Sequence, residues 1–188
     1  FVRELGAELH ERGKMLRVSV YQRESGGPTY GYDFVALAQA ADQLGIMSFG
    51  EHWEESEPGP VASLGWVRKT IEFALSLGVP KEKIYVGIPL YGYDWPEARK
   101  GAFGDATGLV SKEIEKIIET FGAQVRFDPV SHSPFFTYSD GKREHVVWFE
   151  DAESVSAKLD LVKEYGAGGI GIWRLGGEDP AVWPFSKN

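Results

Sequence analysis

The hydrophobic and polar positions of the chain follow a repeating order of strand and helix. Residues 15–21 alternate as a strand does, and Asp33 is placed to cap a helix with apolar positions through Ala41. Further strands are predicted at residues 44–49, 84–90 and 170–173, and further helices at residues 1–12, 66–77 and 154–165. Strands that alternate with helices form a parallel sheet, so the pattern predicts an α/β fold with about four such strands.

The order changes between residues 91 and 151. A helix is predicted at residues 111–121, and β-rich runs follow it at residues 124–127, 135–138 and 145–149. This segment follows the C-terminal end of a strand, where barrels carry their functional loops. The expected parts are residues 1–95 with three β/α units, residues 96–150 with a small α+β insertion, and residues 151–188 with the last helix and strand.

The composition is that of an ordinary globular chain of 188 residues, with 43% hydrophobic and 26% charged residues. The net charge of -8 argues against a nucleic-acid partner, because proteins that bind phosphate backbones present basic patches. No apolar run approaches the roughly 20 residues that span a bilayer, and the first residues lack a signal-peptide pattern. Cysteine is absent and the four histidines lack metal-ligand spacing, so neither a metal nor another cofactor is expected.

Four runs of sequence together carry a family resemblance. They are KIYVGIPLYGYDW at residues 83–95, SPFFTY at residues 133–138, VWFED at residues 147–151 and GGIGIWRLGGEDP at residues 168–180. In this order they resemble the chitinase-like glycoside hydrolases of family 18, and most of all the bacterial, LysM-associated N-acetylglucosaminidases of the cell wall and spore cortex. The resemblance implies a TIM (β/α)₈ barrel, of which this chain is the C-terminal half with strands five to eight. The insertion then corresponds to the family's small domain after strand seven.

The resemblance implies a retaining hydrolase of polysaccharides that contain N-acetylglucosamine, either peptidoglycan or chitin, in which the substrate's own acetamide is the nucleophile. In the family, strand four carries the pattern Asp-Gly-x-Asp-x-Asp-x-Glu, whose glutamate protonates the glycosidic oxygen. No such run occurs in this sequence. We therefore expect no catalytic residue in this chain and no hydrolysis by it alone. The family also implies a location in the cell envelope, in the spore or outside the cell.

Two other interpretations of the same sequence stay open. Relatives that lost the acid persist as lectins, so the second interpretation is an inactive module that binds chitin or peptidoglycan; sugar affinity without turnover would identify it. The third is a structural half-barrel that associates with a copy of itself, because four parallel strands leave two open sheet edges.

The resemblance assigns candidate sugar contacts at the end of strand six. The family's Met-x-Tyr-Asp reads Met47, Ser48, Phe49 and Gly50 here. A hydroxyl and a carboxylate that hold the acetamide in the family are therefore absent, which weakens transition-state stabilisation. The alternative is that Phe49 and Gly50 simply pack the mouth of the barrel.

Glu51 and Trp53 lie on the loop that follows strand six, at the positions of the family's Glu-His-Trp. Glu51 serves as a substitute acid if it is buried beside Trp53. In an acidic loop, a solvated carboxylate is the ordinary interpretation. Both residues are candidate sugar contacts.

Trp173 ends the last strand and matches the family tryptophan that forms the floor under the cleaved sugar. An aromatic plane there desolvates and orients the flat C–H face of a sugar ring, although a core role is the alternative. Tyr91, Tyr93 and Trp95 follow strand seven, on the rim where neighbouring sugars would lie. Arg174 is expected either to bond a sugar hydroxyl or acetamide, or to pair with one of the carboxylates that follow it.

Overall fold

The computed structural model describes residues 1–23, 32–99 and 102–187. Its helices are α1 (Val2–Glu11), α2 (Phe34–Ala40), α3 (Leu64–Ser76), α4 (Ser111–Phe121) and α5 (Ala152–Tyr165). Its strands are β1 (Arg17–Tyr21), β2 (Gln43–Met47), β3 (Ile84–Pro89), β4 (Gly92–Arg99), β5 (Ala102–Phe103), β6 (Thr107–Leu109), β7 (Arg126–Asp128), β8 (Ser133–Ser139), β9 (Glu144–Trp148) and β10 (Gly169–Trp173). Two 3₁₀ helices span Lys81–Lys83 and Pro180–Lys187.

Strands β1, β2, β3 and β10 form a parallel sheet, and their order across the sheet is their order in the chain. Val20 lies beside Ile46, and Ile46 lies beside Val86 in the next strand. Helices α2, α3 and α5 pack on one face of the sheet, where Ile71 and Leu161 are buried against the strands. The α/β class predicted from the repeating pattern is confirmed.

Local hydrogen bonds fix the ends of the helices on this sheet. Asp33 Oδ1 accepts the Ala36 N–H at 2.9 Å, which caps the first turn of α2 as the sequence indicated. At the start of α5, Asp151 and Ser154 each bond the other's backbone N–H in a capping box. Gly166 ends α5 in the left-handed conformation, with φ 61°, which a residue with a Cβ adopts only with strain.

The opposite face of the parallel sheet, which we call the open face, carries exposed side chains. Arg17, Ser19 and Tyr21 of β1 point to this face, while Val18 and Val20 point to the helices. The strand pairing places the following residues on the open face: Arg17, Ser19, Tyr21, Gly45, Met47, Tyr85, Gly87, Pro89, Gly169, Gly171 and Trp173. Because the strands are parallel, their carboxyl ends meet at one edge of the open face.

The segment after β3 folds as an antiparallel sheet in the order β5-β4-β9-β8-β7, with β6 also paired to β4. Helix α4 packs on it through Ile114, in a cluster with Phe136 and Val147. The boundary expected at residue 95 falls inside β4, which begins at Gly92 and pairs with β9. From Gly92 onward, β4 pairs with other strands of this antiparallel sheet.

Candidate functional site

A cleft of about 280 Å³ lies where the carboxyl ends of β3 and β10 meet the insertion. Tyr91, Tyr93, Trp173 and Arg174 line it together with backbone of the β6 region. The Leu90 N–H donates to the Trp173 carbonyl at 2.7 Å, which ties the ends of the two strands together. The structure therefore brings four of the expected sugar contacts to one place, at the end of the sheet where α/β folds bind ligands.

Trp173 is exposed, with 57% of its surface accessible in this chain. The described residues therefore leave more than half of this side chain uncovered. It lines the cleft beside Arg174, and it also lines a second cavity on the open face. A large aromatic side chain with this exposure, between two cavities, offers a flat apolar surface to a ligand.

Tyr91 and Tyr93 form a rigid aromatic pair on the insertion side of the cleft. Their ring centroids are 5.5 Å apart and the rings are perpendicular. Burial raises the pKa of both phenols, and for Tyr91 the neighbouring Tyr93 raises the pKa further. The two phenols also share a hydrogen bond, which raises the pKa of Tyr91 and counteracts the rise in the pKa of Tyr93.

Trp95 does not lie on the rim, so this expectation is wrong. Its side chain is 0% exposed, and its Nε1 donates to the Ser56 carbonyl at 2.9 Å. The ring lies 5.5 Å from Tyr93 and is covered by the loop that contains Ser56. Trp95 therefore supports Tyr93 and that loop, and it has no surface to offer a sugar.

The second cavity, of about 250 Å³, lies on the open face. Met47, Phe49 and Trp173 line its upper part, and Arg17 and Ser19 line its lower part. A Cβ added to Gly87 would lie 3.1 Å from Phe49 Cε1, so the Phe49 ring lies against the bare backbone of β3. Met47 and Phe49 are thus placed beside Trp173, and Phe49 fills space next to this glycine.

The loop after β2 joins Glu51 to the start of α3 and leaves Trp53 exposed. Glu51 accepts the Ser63 N–H at 2.6 Å and the Ser63 hydroxyl at 3.1 Å. Ser63 in turn caps α3, because its Oγ accepts the Trp66 N–H at 3.1 Å. Glu51 is therefore half-buried, and both of its carboxylate oxygens are engaged at the start of α3. Trp53 is 51% exposed on the same loop and lines neither cavity.

Arg174 is exposed at the mouth of the cleft. The two carboxylates that follow it bond elsewhere: Glu178 accepts the Gly176 N–H, and Asp179 accepts the Ala181 N–H. Within the part of the chain that the structure describes, Arg174 forms no ion pair. Its guanidinium is thus available to a ligand in the cleft.

A buried ion pair lies close enough to Tyr91 to affect its pKa, and the sequence patterns did not reveal it. Lys158 Nζ lies 2.7 Å from Glu150 Oε2, and both side chains are 0% exposed. Burial raises the pKa of Glu150 even with Lys158 beside it. The charge of Glu150 also raises the pKa of Tyr91, so the pair lies near the cleft.

The described residues contain no cluster of three or more histidines, aspartates or glutamates able to hold a metal ion. Within the same residues, every helix is too short or too polar to cross a bilayer.

Comparison with known proteins identifies the family. Residues 1–178 match the family model described as Glycosyl hydrolases family 18. The chain belongs to this family. The resemblance seen in the four sequence runs is thereby confirmed, and the family is one of chitinase-like hydrolases with relatives that act on the spore cortex.

Among curated relatives, the Bacillus subtilis protein YdhD is 37% identical over 193 residues, which cover 100% of this chain and 45% of the relative. The cortical fragment-lytic enzyme of Bacillus subtilis is 32% identical, over 97% of this chain and 43% of the relative. A chitinase structure from Chromobacterium violaceum superimposes with a TM-score of 0.86 at 41% identity, covering 97% of this chain and 57% of that chain. The chain thus spans less than half the length of these curated relatives.

Proposed function

We propose that this chain is the C-terminal half of a (β/α)₈ barrel in a hydrolase of N-acetylglucosamine-containing polysaccharide, either peptidoglycan or chitin. Four parallel strands in chain order, with helices on one face, are the arrangement of consecutive barrel units. Strands β1 and β10 lie at the two edges of the described sheet. Both edges are where further strands of a barrel would pair.

The reach of Arg17 supports the barrel assignment. Arg17 starts β1, yet its guanidinium occupies the place that a Cβ on Gly171 of β10 would take. In a flat sheet these two strands would be about 14 Å apart, from three spacings of about 4.8 Å each. The contact therefore requires the sheet to curl toward the open face, as a barrel wall does.

The observation that carries sugar binding is the exposed plane of Trp173 beside the cleft. An aromatic plane stacks on the C–H face of a sugar ring, and the Arg174 guanidinium adds hydrogen-bond donors at the mouth of the cleft. Relatives are named as a cortical fragment-lytic enzyme and a chitinase. These names support a substrate built from N-acetylglucosamine and a location in the cell envelope, in the spore or outside the cell.

We place the catalytic acid outside this chain. Neither cavity is lined by an aspartate or glutamate among the described residues, and Glu51 is held by Ser63. Family-18 hydrolysis needs one protein acid beside the substrate's acetamide. The chain alone therefore binds the glycan without cleaving it.

A lectin-like module is the second candidate function, and one observation favours it. Phe49 and Gly50 bring neither a hydroxyl nor a carboxylate to the end of β2. A protein with this site would hold a glycan without stabilising charge in a transition state. The longer protein that carries this chain would then bind the oligomers without releasing products.

Self-association through the open sheet edges is a further proposal for the isolated chain. The charge of Arg17 limits it, because two facing copies would bring like charges to the same face. Light scattering that shows only monomers would overturn this proposal.

A product assay tests the proposed function. The chain is incubated with N-acetylglucosamine oligomers, and products are followed by mass spectrometry while binding is followed by NMR shifts of the tryptophan indoles. Binding without products is expected. Product formation would contradict the absence of an acid, and an unshifted Trp173 indole would contradict the sugar site.

A further inference from the structure

We propose that Tyr21, at the carboxyl end of β1, is a second sugar-binding residue whose hydroxyl hydrogen-bonds the sugar ring that stacks on Trp173. This inference rests on the proposed function, since it takes an N-acetylglucosamine oligomer as the ligand. None of the sequence motifs pointed to Tyr21, which lies outside all four runs of the family resemblance.

The position of Tyr21 follows from strand pairing. Tyr21 is the register partner of Met47, and directly paired residues project from the same face of a sheet. Met47 lines the open-face cavity together with Trp173. Tyr21 is 66% exposed, and its ring lines a neighbouring cavity together with Gln22, Arg23 and Tyr32. Its nearest aromatic neighbour among the described residues is Tyr32, with ring centroids 6.3 Å apart.

Because the sheet is curved, its open face is concave, and we call this concave surface the trough. Tyr21 on β1 and Trp173 on β10 then stand on opposite walls of the trough. Arg17 spans from β1 to Gly171 of β10 with a single side chain, which sets the width of the trough. Tyr21 lies four residues above Arg17, and Trp173 lies two residues above Gly171. At about 3.3 Å per residue, both aromatic side chains stand above the Arg17 bridge, nearer the carboxyl ends of the strands. A ring placed on Trp173 is then bounded by Tyr21 on the other wall.

Tyr21 differs from its neighbours on the upper open face because its side chain can form a hydrogen bond with a sugar. Met47, Phe49 and Pro89 surround the upper open face and carry neither a side-chain hydroxyl nor an amide. The Trp173 indole N–H donates but cannot accept. Tyr21 therefore supplies the side-chain oxygen at this level of the trough, among the residues described here. Its hydroxyl forms no hydrogen bond to another described side chain, so it is free for a ligand.

The test is isothermal titration of the chain and its variants with N-acetylglucosamine oligomers. Tyr21→Phe keeps the ring and removes the oxygen, and it should weaken binding about 3- to 10-fold, the range of one net hydrogen bond. Tyr21→Ala should weaken binding further, because the wall is lost as well. Tyr165→Phe is the matched control, since this phenol bonds Glu72 on the helical side of the sheet, and its affinity should equal that of the unmodified chain. Thermal unfolding followed by circular dichroism shows that each variant is folded.

The outcomes separate this inference from the proposed function. Loss of binding in Trp173→Ala with unchanged affinity in Tyr21→Phe and Tyr21→Ala would overturn the role of Tyr21 and leave the sugar site in place. Absence of binding by the unmodified chain would overturn the proposed function and this inference with it. A drop in Tyr21→Phe together with an unchanged control supports the hydrogen bond.

Discussion

Removing Lys158 should destabilise the protein strongly at neutral pH. The Lys158→Met variant keeps much of the side-chain volume but leaves Glu150 buried, with Ser154 Oγ at 2.6 Å as its remaining partner. Glu150 Oε1 already has no hydrogen-bond partner in the described structure. Breaking a buried pair typically costs about 3–5 kcal/mol, because an uncompensated charge stays inside the protein. Complete burial of both side chains places the expected loss in the upper half of that range.

The loss should depend on pH in a defined direction. Burial holds the pKa of Glu150 above its ordinary value of 4.5. The variant is therefore least affected below that pH, where the carboxyl is neutral in both folded and unfolded states. Its stability falls as the pH rises through the raised folded-state pKa, because a buried proton must then be given up.

Urea unfolding followed by tryptophan fluorescence measures both effects, at about pH 4 and about pH 7.5. The double variant Glu150→Gln with Lys158→Met is the control, because no titrating group remains at the pair and the change of stability between the two pH values should be smaller than in Lys158→Met. A loss below about 1 kcal/mol at the higher pH, or equal losses at both pH values, would refute the role given to the pair.

Two further predictions concern the open face and the turn between β7 and β8. Gly171→Ala should cost less than about 1 kcal/mol, because the displaced atoms belong to the flexible tip of Arg17. Gly87→Ala should cost about 1–3 kcal/mol, because its Cβ would lie 2.9 Å from a backbone oxygen of β2; equal unfolding midpoints in urea would contradict this. The hydrogen bonds from Ser131 lower the pKa of Asp128, so this contribution to stability is present above the ordinary pKa of 3.8 and is lost as the pH falls through the lowered value. In Asp128→Asn, the free energy of unfolding should therefore fall less steeply at acid pH. An unchanged fall would show that Asp128 does not contribute to stability.

The sequence predicted well those elements whose signals are local. Helix α4 has the bounds predicted from its apolar spacing, residues 111–121, and Gly122 ends it in the left-handed conformation. The parallel strands were found because each is a short apolar run between turn residues, with errors of one or two residues at their ends.

The strands of the insertion were harder to predict, because they form by pairing between distant parts of the chain. Strand β4 contains Pro96 and Asp94, which local propensities count against a strand. It forms because β9, about fifty residues later, pairs with it from Tyr93 to Pro96. The burial of Trp95 depends on the same pairing and on a loop carbonyl, neither of which a local pattern contains.

The candidate site was predicted in part. Trp173, Tyr91, Tyr93 and Arg174 meet in one cleft, as motifs at the ends of neighbouring strands suggested. The bond between Glu51 and Ser63 was not predicted, because the two residues are twelve positions apart across a loop. Arg17 and Tyr21 could be assigned to one face by the alternation in β1, but the width of the trough becomes visible only in three dimensions.

The most direct test of the sugar site is isothermal titration of the chain with N-acetylglucosamine oligomers, beside Trp173→Ala and the control Phe121→Ala. Phe121 is an exposed aromatic residue on α4, remote from both cavities, so it controls for unspecific loss of an aromatic surface. Binding that persists in Phe121→Ala and is lost in Trp173→Ala is the predicted result. Equal affinities for all three proteins, or no binding by the unmodified chain, would contradict a sugar-binding cleft at the carboxyl end of this sheet.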